Sequence, residues 1–562
     1  MSARFLQRWV VWMLGLALGS SSLRAQSIGP GILDDPNTFE IIESGEGRFE
    51  RGPQGTTKTL SGGVVLKHRG MILQCNQVVL SGGDRVAKAE GKVKLNGKDG
   101  FVILSQKMYW NTSDQEAYFE GDVRCRQNDL SLETPTLWFN SARNEARYEL
   151  GGVLRQGGVR ISSRHGMGDL NRRDYTFREQ VVVNHPEMEL HTSLCRYMAQ
   201  VDCLILMARS RIHSLQGTFE GDAGHYQIQS AKLLLHTEGK SGAGPRHAAC
   251  AVVDRRHFIL ADTLFMDQKR STARADGHAH WLDTVEHIRI RADHLKLDSA
   301  LRMGLSPPNP VNLTQSQGFM ATGHVWLQDW SSRDSIQWIT PSLQGYRKPQ
   351  RDSMFLWTDD SSVCLSKDWV MRSNTVRINR ANSTLQANGN LLAWQGPTQL
   401  ESQGMLWKRV NDSLSLMDFE GITSLSEMAD SIPSPMYHQA SGSKARARLM
   451  NNELQEFVLE GNAVTWYWMR GNDSLWSALN KTEAAKAVFE FADRKLHSAR
   501  YYGGPRGAYQ PMSKIKDPST LLETVHPQPA RRKVLVQKAE QFQQDYPDRG
   551  TITLAKGLPP WP

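Results

Sequence analysis

The chain runs to 562 residues, 39% of them hydrophobic and 22% charged, with a formal net charge of +9. That excess is mild for the length and is nowhere gathered into a basic stripe with interleaved aromatics, which excludes a nucleic-acid-binding protein; it fits a solvated surface or affinity for an anionic ligand or membrane surface. Six cysteines at irregular spacing, with no C-x-x-C, exclude a disulfide-dense scaffold and allow one bridge at most.

Residues 1–25 read as a cleavable signal peptide. Arg4 and Arg8 form a basic start, Val10 to Gly19 is a short apolar run, and Ser20 to Ala25 is the cleavage region. The competing reading is an uncleaved anchor, for which the apolar run is short. Cleavage removes Arg4, Arg8 and Arg24 and no acid, so the charge falls by three, from +9 to +6. No cysteine follows the cleavage region to accept a lipid. No later stretch approaches the ~18 uninterrupted apolar residues of a membrane span. The expectation is an exported, soluble, periplasmic protein, with association to the outer or inner membrane left open.

From residue 73 a register recurs: a large apolar residue, a small one two on, an apolar residue three further, and another two beyond. It reads Leu73-Cys75-Val78-Leu80, Ile103-Ser105-Met108-Trp110, Leu132-Thr134-Leu137-Phe139 and Leu190-Thr192-Cys195-Tyr197. It returns as Ile228-Ser230-Leu233-Leu235, Ile259-Ala261-Leu264-Met266 and Ile290-Ala292-Leu295-Leu297. The starts at 73, 103, 132 and 190 lie 30, 29 and twice 29 residues apart. A fixed period of this size marks stacked repeats, in which no unit buries its apolar face without a neighbour. Between these runs sit Gly-led alternations such as Gly91-Lys92-Val93-Lys94-Leu95, Gly121-Asp122-Val123, Gly152-Val153-Leu154, Gly277-His278-Ala279-His280-Trp281 and Gly461-Asn462-Ala463. Alternation is the strand period, and each Gly supplies a backbone conformation or a close approach that a side chain would obstruct.

Four segments follow: the signal peptide 1–25, a regular β block 45–301, a more divergent block 312–502, and a Pro-rich, basic tail 503–562. Pro307-Pro308-Asn309-Pro310 marks the junction of the blocks. In the second block the register resumes as Cys364-Ser366-Trp369-Met371 and Leu400-Ser402-Met405-Trp407. In the tail, Val534 to Tyr546 has the pattern of a short amphipathic helix, and the end reads as extended, with Trp561 either docked on the scaffold or a partner or part of a disordered tail.

Catalytic motifs are missing: there is no G-x-S-x-G, H-E-x-x-H, Walker loop or Rossmann fingerprint. Gly239 to Gly244 reads as a surface loop. His278 and His280 share a strand face, but no third ligand is identifiable, so a solvent-facing pair is preferred to a metal site. The repeated Glu-Gly pairs at 90, 120, 220, 420 and 460 speak for turn geometry, since an active site needs one constellation. The chain is expected to be no enzyme and to need no cofactor or metal. The inward apolar positions either fill a core or, where the stack closes incompletely, line a groove able to shield acyl chains. The candidates are Leu73, Val78, Leu80, Ile103, Met108, Trp110, Leu132, Leu137, Phe139, Ile228, Leu233, Ile259, Leu264, Ile290 and Leu295 from the template runs. Val93, Leu95 and Val123 from the Gly-led strands join them.

The alternation of a Gly-x-Val-x-Leu strand with runs such as Ile259-Leu260-Ala261-Asp262-Thr263-Leu264 and Ile290-Arg291-Ala292-Asp293-His294-Leu295 resembles the OstA-like family of lipopolysaccharide-transport proteins. That is the family of LptA and of the periplasmic N-terminal domain of LptD. The resemblance spans about residues 45–500, strongest before 300, and in size the chain is similar to the OstA-like proteins of Bacteroidetes-type bacteria. It implies an all-β, stacked, solenoid-like β-jellyroll in two consecutive OstA-type blocks, with a short irregular C-terminal tail. It also implies a periplasmic lipopolysaccharide carrier that holds the lipid A acyl chains inside. By strand-edge pairing the chain would join other OstA-like domains, LptC-like and LptD-like, or copies of itself. The chain exceeds one LptA unit and lacks the strands of an LptD-type barrel. Two other classes compete: a solenoid enzyme acting on acidic polysaccharide, and a structural surface fibre or adhesin with a filled core.

Overall fold

A strand alternates its side chains between two faces, so residues two apart share a face and residues three apart do not. The step of three inside the template, from Cys75 to Val78 or from Ser105 to Met108, therefore forbids a straight strand with one apolar face. The chain must bend there. The computed structural model describes residues 37–545 except 54, 98–99, 216, 238–248, 254–256, 285, 299–316, 332–334, 349–352, 432–433 and 494, and it shows that bend in every repeat. The expected signal peptide, the loop from Gly239 to Gly244, the junction at Pro307–Pro310 and the chain end with Trp561 lie outside the described residues.

The first strands are β1 (Glu40–Glu43), β2 (Glu46–Gly52), β3 (Gly55–His68), β4 (Met71–Ser81), β5 (Val86–Asn96), β6 (Val102–Asn111), β7 (Glu116–Gln127) and β8 (Leu130–Asn140). From β3 onward each pairs antiparallel with the next, and each ladder breaks register mid-strand: Gln74 to Gln77, Glu90 to Val93, Leu104 to Lys107, Glu120 to Val123. These breaks stack into a corner line that divides the sheet into two walls. Wall A carries the hairpin turns near residues 82–85, 112–115 and 141–144; wall B carries those near 69–70 and 128–129 and the connection from β5 to β6. The meander continues in this way to the strand Arg506–Pro511, and all forty described strands belong to one antiparallel sheet. Both walls turn their apolar residues toward each other, and a single apolar core runs from Phe39 to Phe489.

Two kinds of corner alternate. Passing from wall A to wall B, two successive residues take positive φ in many of the repeats, as at Gly121 (+85°) and Asp122 (+46°), whereas the passage at Gly151 has one and that at Met207–Arg209 none. A Cβ at Gly121 would stand 2.8 Å from Cβ of Gln106 on the neighbouring strand, so this glycine meets both demands, conformation and close approach. Passing from wall B to wall A, the small template residue sits at the bend, and its hydroxyl bonds the carbonyl two residues on. Ser105 Oγ donates to Lys107 O at 2.9 Å, Ser163 to His165 at 2.8 Å, Thr340 to Ser342 at 2.9 Å and Ser373 to Thr375 at 3.1 Å.

The period is strictest in wall A's turns. There the backbone N–H of Ser141, Leu170, Ala199 and Ile228 reaches back to the carbonyls of Gln115, Asn144, Arg173 and Asp202, acceptors 29 residues apart. This ladder shows where the sequence register departs from the structure. A copy stands at Ile161-Ser163-Gly166-Gly168, where a Cβ on either glycine would overlap the ring of Tyr148 or Tyr175. The next is Phe219-Gly221-Gly224-Tyr226, whereas Ile228 and Ser230 lie in the turn that follows. Likewise Cys364-Ser366-Trp369-Met371 spans a wall B hairpin, and the bend in that region is at Met371-Ser373-Val376-Ile378.

After the last strand the chain returns along the outer face of wall B. Gln439 Nε2 donates to Thr520 O (3.0 Å) while its Oε1 accepts from Leu522 N (2.7 Å); Gln399 does the same with His526 O (2.9 Å) and Gln528 N (2.7 Å). Each glutamine amide thus pairs with tail backbone as a neighbouring strand would. Helix α1 (Pro529–Asp545) follows, opening five residues before the expected Val534 with proline in its first turn, where the missing N–H costs nothing. Its Leu535, Val536 and Ala539 cover Leu365, Val370, Leu392 and Trp394.

Candidate functional site

All the sequence-marked groove positions are buried, and Leu132, at 8% exposure, is the most accessible of them. The walls explain the template. The residue before the bend lies on wall B (Leu73, Ile103, Leu132, Ile259, Ile290), and the residues after it lie on wall A (Val78, Leu80, Met108, Trp110, Leu137, Phe139, Leu264, Leu295). Val93, Leu95 and Val123 add to wall B. Leu233 belongs to wall A, and Ile228 packs from its turn. All of them join the one continuous core.

The interior is closely packed. A cavity of about 20 Å³ lies between the walls, lined by Cys125, Leu130, Leu132, Tyr148, Leu154, Leu170, Tyr175 and Phe177 among others. Burial pushes the thiols of Cys75 and Cys125 up to about 11 and about 12, and the Tyr148 phenol to about 12, so these groups stay neutral at physiological pH. Tyr148 Oη and Ser163 Oγ share a hydrogen bond of 2.6 Å. His278 occupies a bend at φ +46°, with Nδ1 2.8 Å from Asp262 Oδ2, and His324 repeats this with Asp293. These histidines serve the corner line. Among the described residues no three His, Cys, Asp or Glu side chains converge as metal ligands would.

Opposite the corner line the walls meet at a seam, and there side chains tie them. At the N-terminal end Phe39 N bonds Asp84 O in wall A, while Thr38 O accepts from His68 Nδ1 in wall B at 3.2 Å. Further along, Arg173 of a wall A turn reaches Asp129 of wall B at 2.6 Å. Gln156 Nε2 on wall B donates to Asp129 at 3.1 Å and, across the seam, to Ala199 O at 3.4 Å. Burial works to raise the Asp129 carboxyl, but the hydrogen bonds from Arg173 and Gln156 prevail and hold it below the usual carboxylate range. In the second half Arg380 reaches from wall A to Glu286 (2.9 Å) and Asp329 (2.7 Å) on wall B. Reading by template misses these rim residues, because they lie in turns or at strand ends, outside the apolar register. The signal available is the glycine pair 166 and 168, which breaks the apolar pattern beside them.

Residues 38–193 match the sequence model of a family described as OstA-like protein. No curated protein matches the sequence. A similar solved structure is the crystal structure of LptH, the LptA-homologous periplasmic component of the conserved lipopolysaccharide transport device from Pseudomonas aeruginosa. It is 14% identical, over 28% of this chain and 98% of that one, with a TM-score of 0.16. A likeness of that size carries no argument.

Proposed function

Residues 38–193 of this chain are OstA-like, and from that premise we propose that the protein is a periplasmic, non-enzymatic lipopolysaccharide carrier. In this reading it forms part of a bridge from the inner to the outer membrane. The observation that carries it is the uninterrupted apolar interior between two walls, from Phe39 to Phe489. Among the described residues, side chains and a short N-terminal segment tie the seam, with no strand ladder across it. An acyl chain that displaces side-chain contacts between the walls gains about 0.8 kcal/mol per CH₂ removed from water. The groove residues named above are the proposed contacts. The unpaired edges at β1–β2 and at Lys495–Tyr502 and Arg506–Pro511 are where LptC-like and LptD-like domains, or a second copy, would add strands.

The close packing of the interior favours a second reading, a structural β protein with a filled core. One experiment separates the two. The mature protein is purified from the periplasm of its source, and bound lipid is extracted mildly and identified by mass spectrometry. The carrier reading predicts co-purifying lipopolysaccharide that is lost in Ile103→Asp or Leu132→Asp proteins retaining their β circular dichroism. A lipid-free protein that also refuses added lipopolysaccharide leaves the structural reading.

A further inference from the structure

The seam at Arg173 holds more polar atoms than it satisfies. Arg173 gives its terminal nitrogen to Asp129 at 2.6 Å and also hydrogen-bonds the buried phenol of Tyr175. The side-chain carbonyl oxygens of Gln156 and Gln127 are buried without a donor among the described residues. Gln127 follows Val123 and Cys125 on the inner face of wall B, two residues before Asp129. A buried donor or acceptor left unpaired costs about 1–3 kcal/mol, so two acceptors beside one ion pair on the rim call for a complement. That complement has an anionic oxygen for the guanidinium and hydroxyls for the two amide carbonyls. Leu130, Leu154 and Tyr175, one or two residues along the chain from Asp129, Gln156 and Arg173, line the small apolar cavity together with Leu170, and the rings of Tyr148 and Tyr175 fill the space beside Gly166 and Gly168.

We propose that this stretch of seam is a head-group site for an acylated, phosphate-type anion that bears hydroxyls. Acyl chains enter between the walls beside Leu170, and Arg173 exchanges the Asp129 carboxylate for the ligand's phosphate. Gln127 and Gln156 accept from its hydroxyls. The proposal rests on the carrier reading and gives it a polar address.

The test uses the full mature chain and three probes: dimyristoyl phosphatidic acid, dimyristoylglycerol and inorganic phosphate. The two lipids share their acyl chains and differ in the phosphate. Arg173→Gln is expected to weaken phosphatidic acid about tenfold, the loss of one charge-assisted contact, and to leave dimyristoylglycerol within about twofold. Asp129→Asn frees the arginine and is expected to tighten phosphatidic acid, a gain that misfolding cannot mimic. Arg196→Gln, on an outer-surface pair with Asp174, is expected to change neither lipid. Equal losses for both lipids in Arg173→Gln, no gain in Asp129→Asn, or binding of inorganic phosphate at the same strength would each overturn the proposal. A wild-type chain that binds neither probe lipid nor added lipopolysaccharide would overturn the carrier reading itself; one that binds lipopolysaccharide but neither probe, or lipid binding indifferent to Arg173 and Asp129, would remove this site alone.

Discussion

Thr134 concentrates the logic of the bend in one side chain. Its hydroxyl serves two carbonyls that the broken ladder leaves behind, Thr136 O at 3.0 Å and Gly151 O at 2.7 Å. Ser402 does the same for Gly404 and Glu420. Thr134→Val keeps the shape and removes the donor, leaving buried acceptors unpaired at a cost of about 1–3 kcal/mol. In urea unfolding that variant should be destabilised by this amount while Thr134→Ser stays close to wild type; equal stability of the two would refute the corner role. The small residue is plain in the sequence, but its purpose is not. As a packing demand, Cys, Ser, Thr and Ala are equivalent at that position, and the hydroxyl shows its use only once the ladder is known to break there. Cys75, Ala261 and Ala292 stand at the same bend without a hydroxyl, which is why the pattern does not announce a hydrogen bond.

At the scale of elements, the tail is held by amide groups as well as by apolar contact. Gln399 and Gln439, both buried, each make two hydrogen bonds to tail backbone, worth together about 2 kcal/mol per glutamine. Replacing both by Ala should speed amide hydrogen exchange at Leu522 and Gln528 by tens of fold and leave the strand Thr398–Arg409 protected. Unchanged exchange would mean that helix α1 alone anchors the tail. Most strands are legible in the sequence, because alternation and the step of three register both the strand and its bend. The copy at Ile161 is not legible, because its apolar slots are filled in space by Tyr148 and Tyr175 from neighbouring strands. The docking of the tail is equally hidden, since glutamines facing a backbone 80 to 130 residues away leave no local pattern.

For the whole molecule the consequence is a long interior with two unlike sides. The corner line is continuous covalent chain and cannot part, whereas the seam is tied mainly by residues such as Arg173, Asp129, Arg380 and Glu286 and can open without breaking a strand ladder. The apolar surface inside was legible from register alone; the polar rim that closes it was not, because it is assembled from turns 44 to 94 residues apart in sequence. The central claim is that this interior, and not the outer face, meets lipid. It is tested most directly by placing a photo-cross-linking amino acid at Phe119, fully buried between the walls, or at Tyr109, 42% exposed on the outside, and irradiating cells of the source organism. Lipopolysaccharide attached at position 119 and absent at 109 is the predicted result. Attachment at 109 alone, or at neither position in a folded, exported protein, would contradict it.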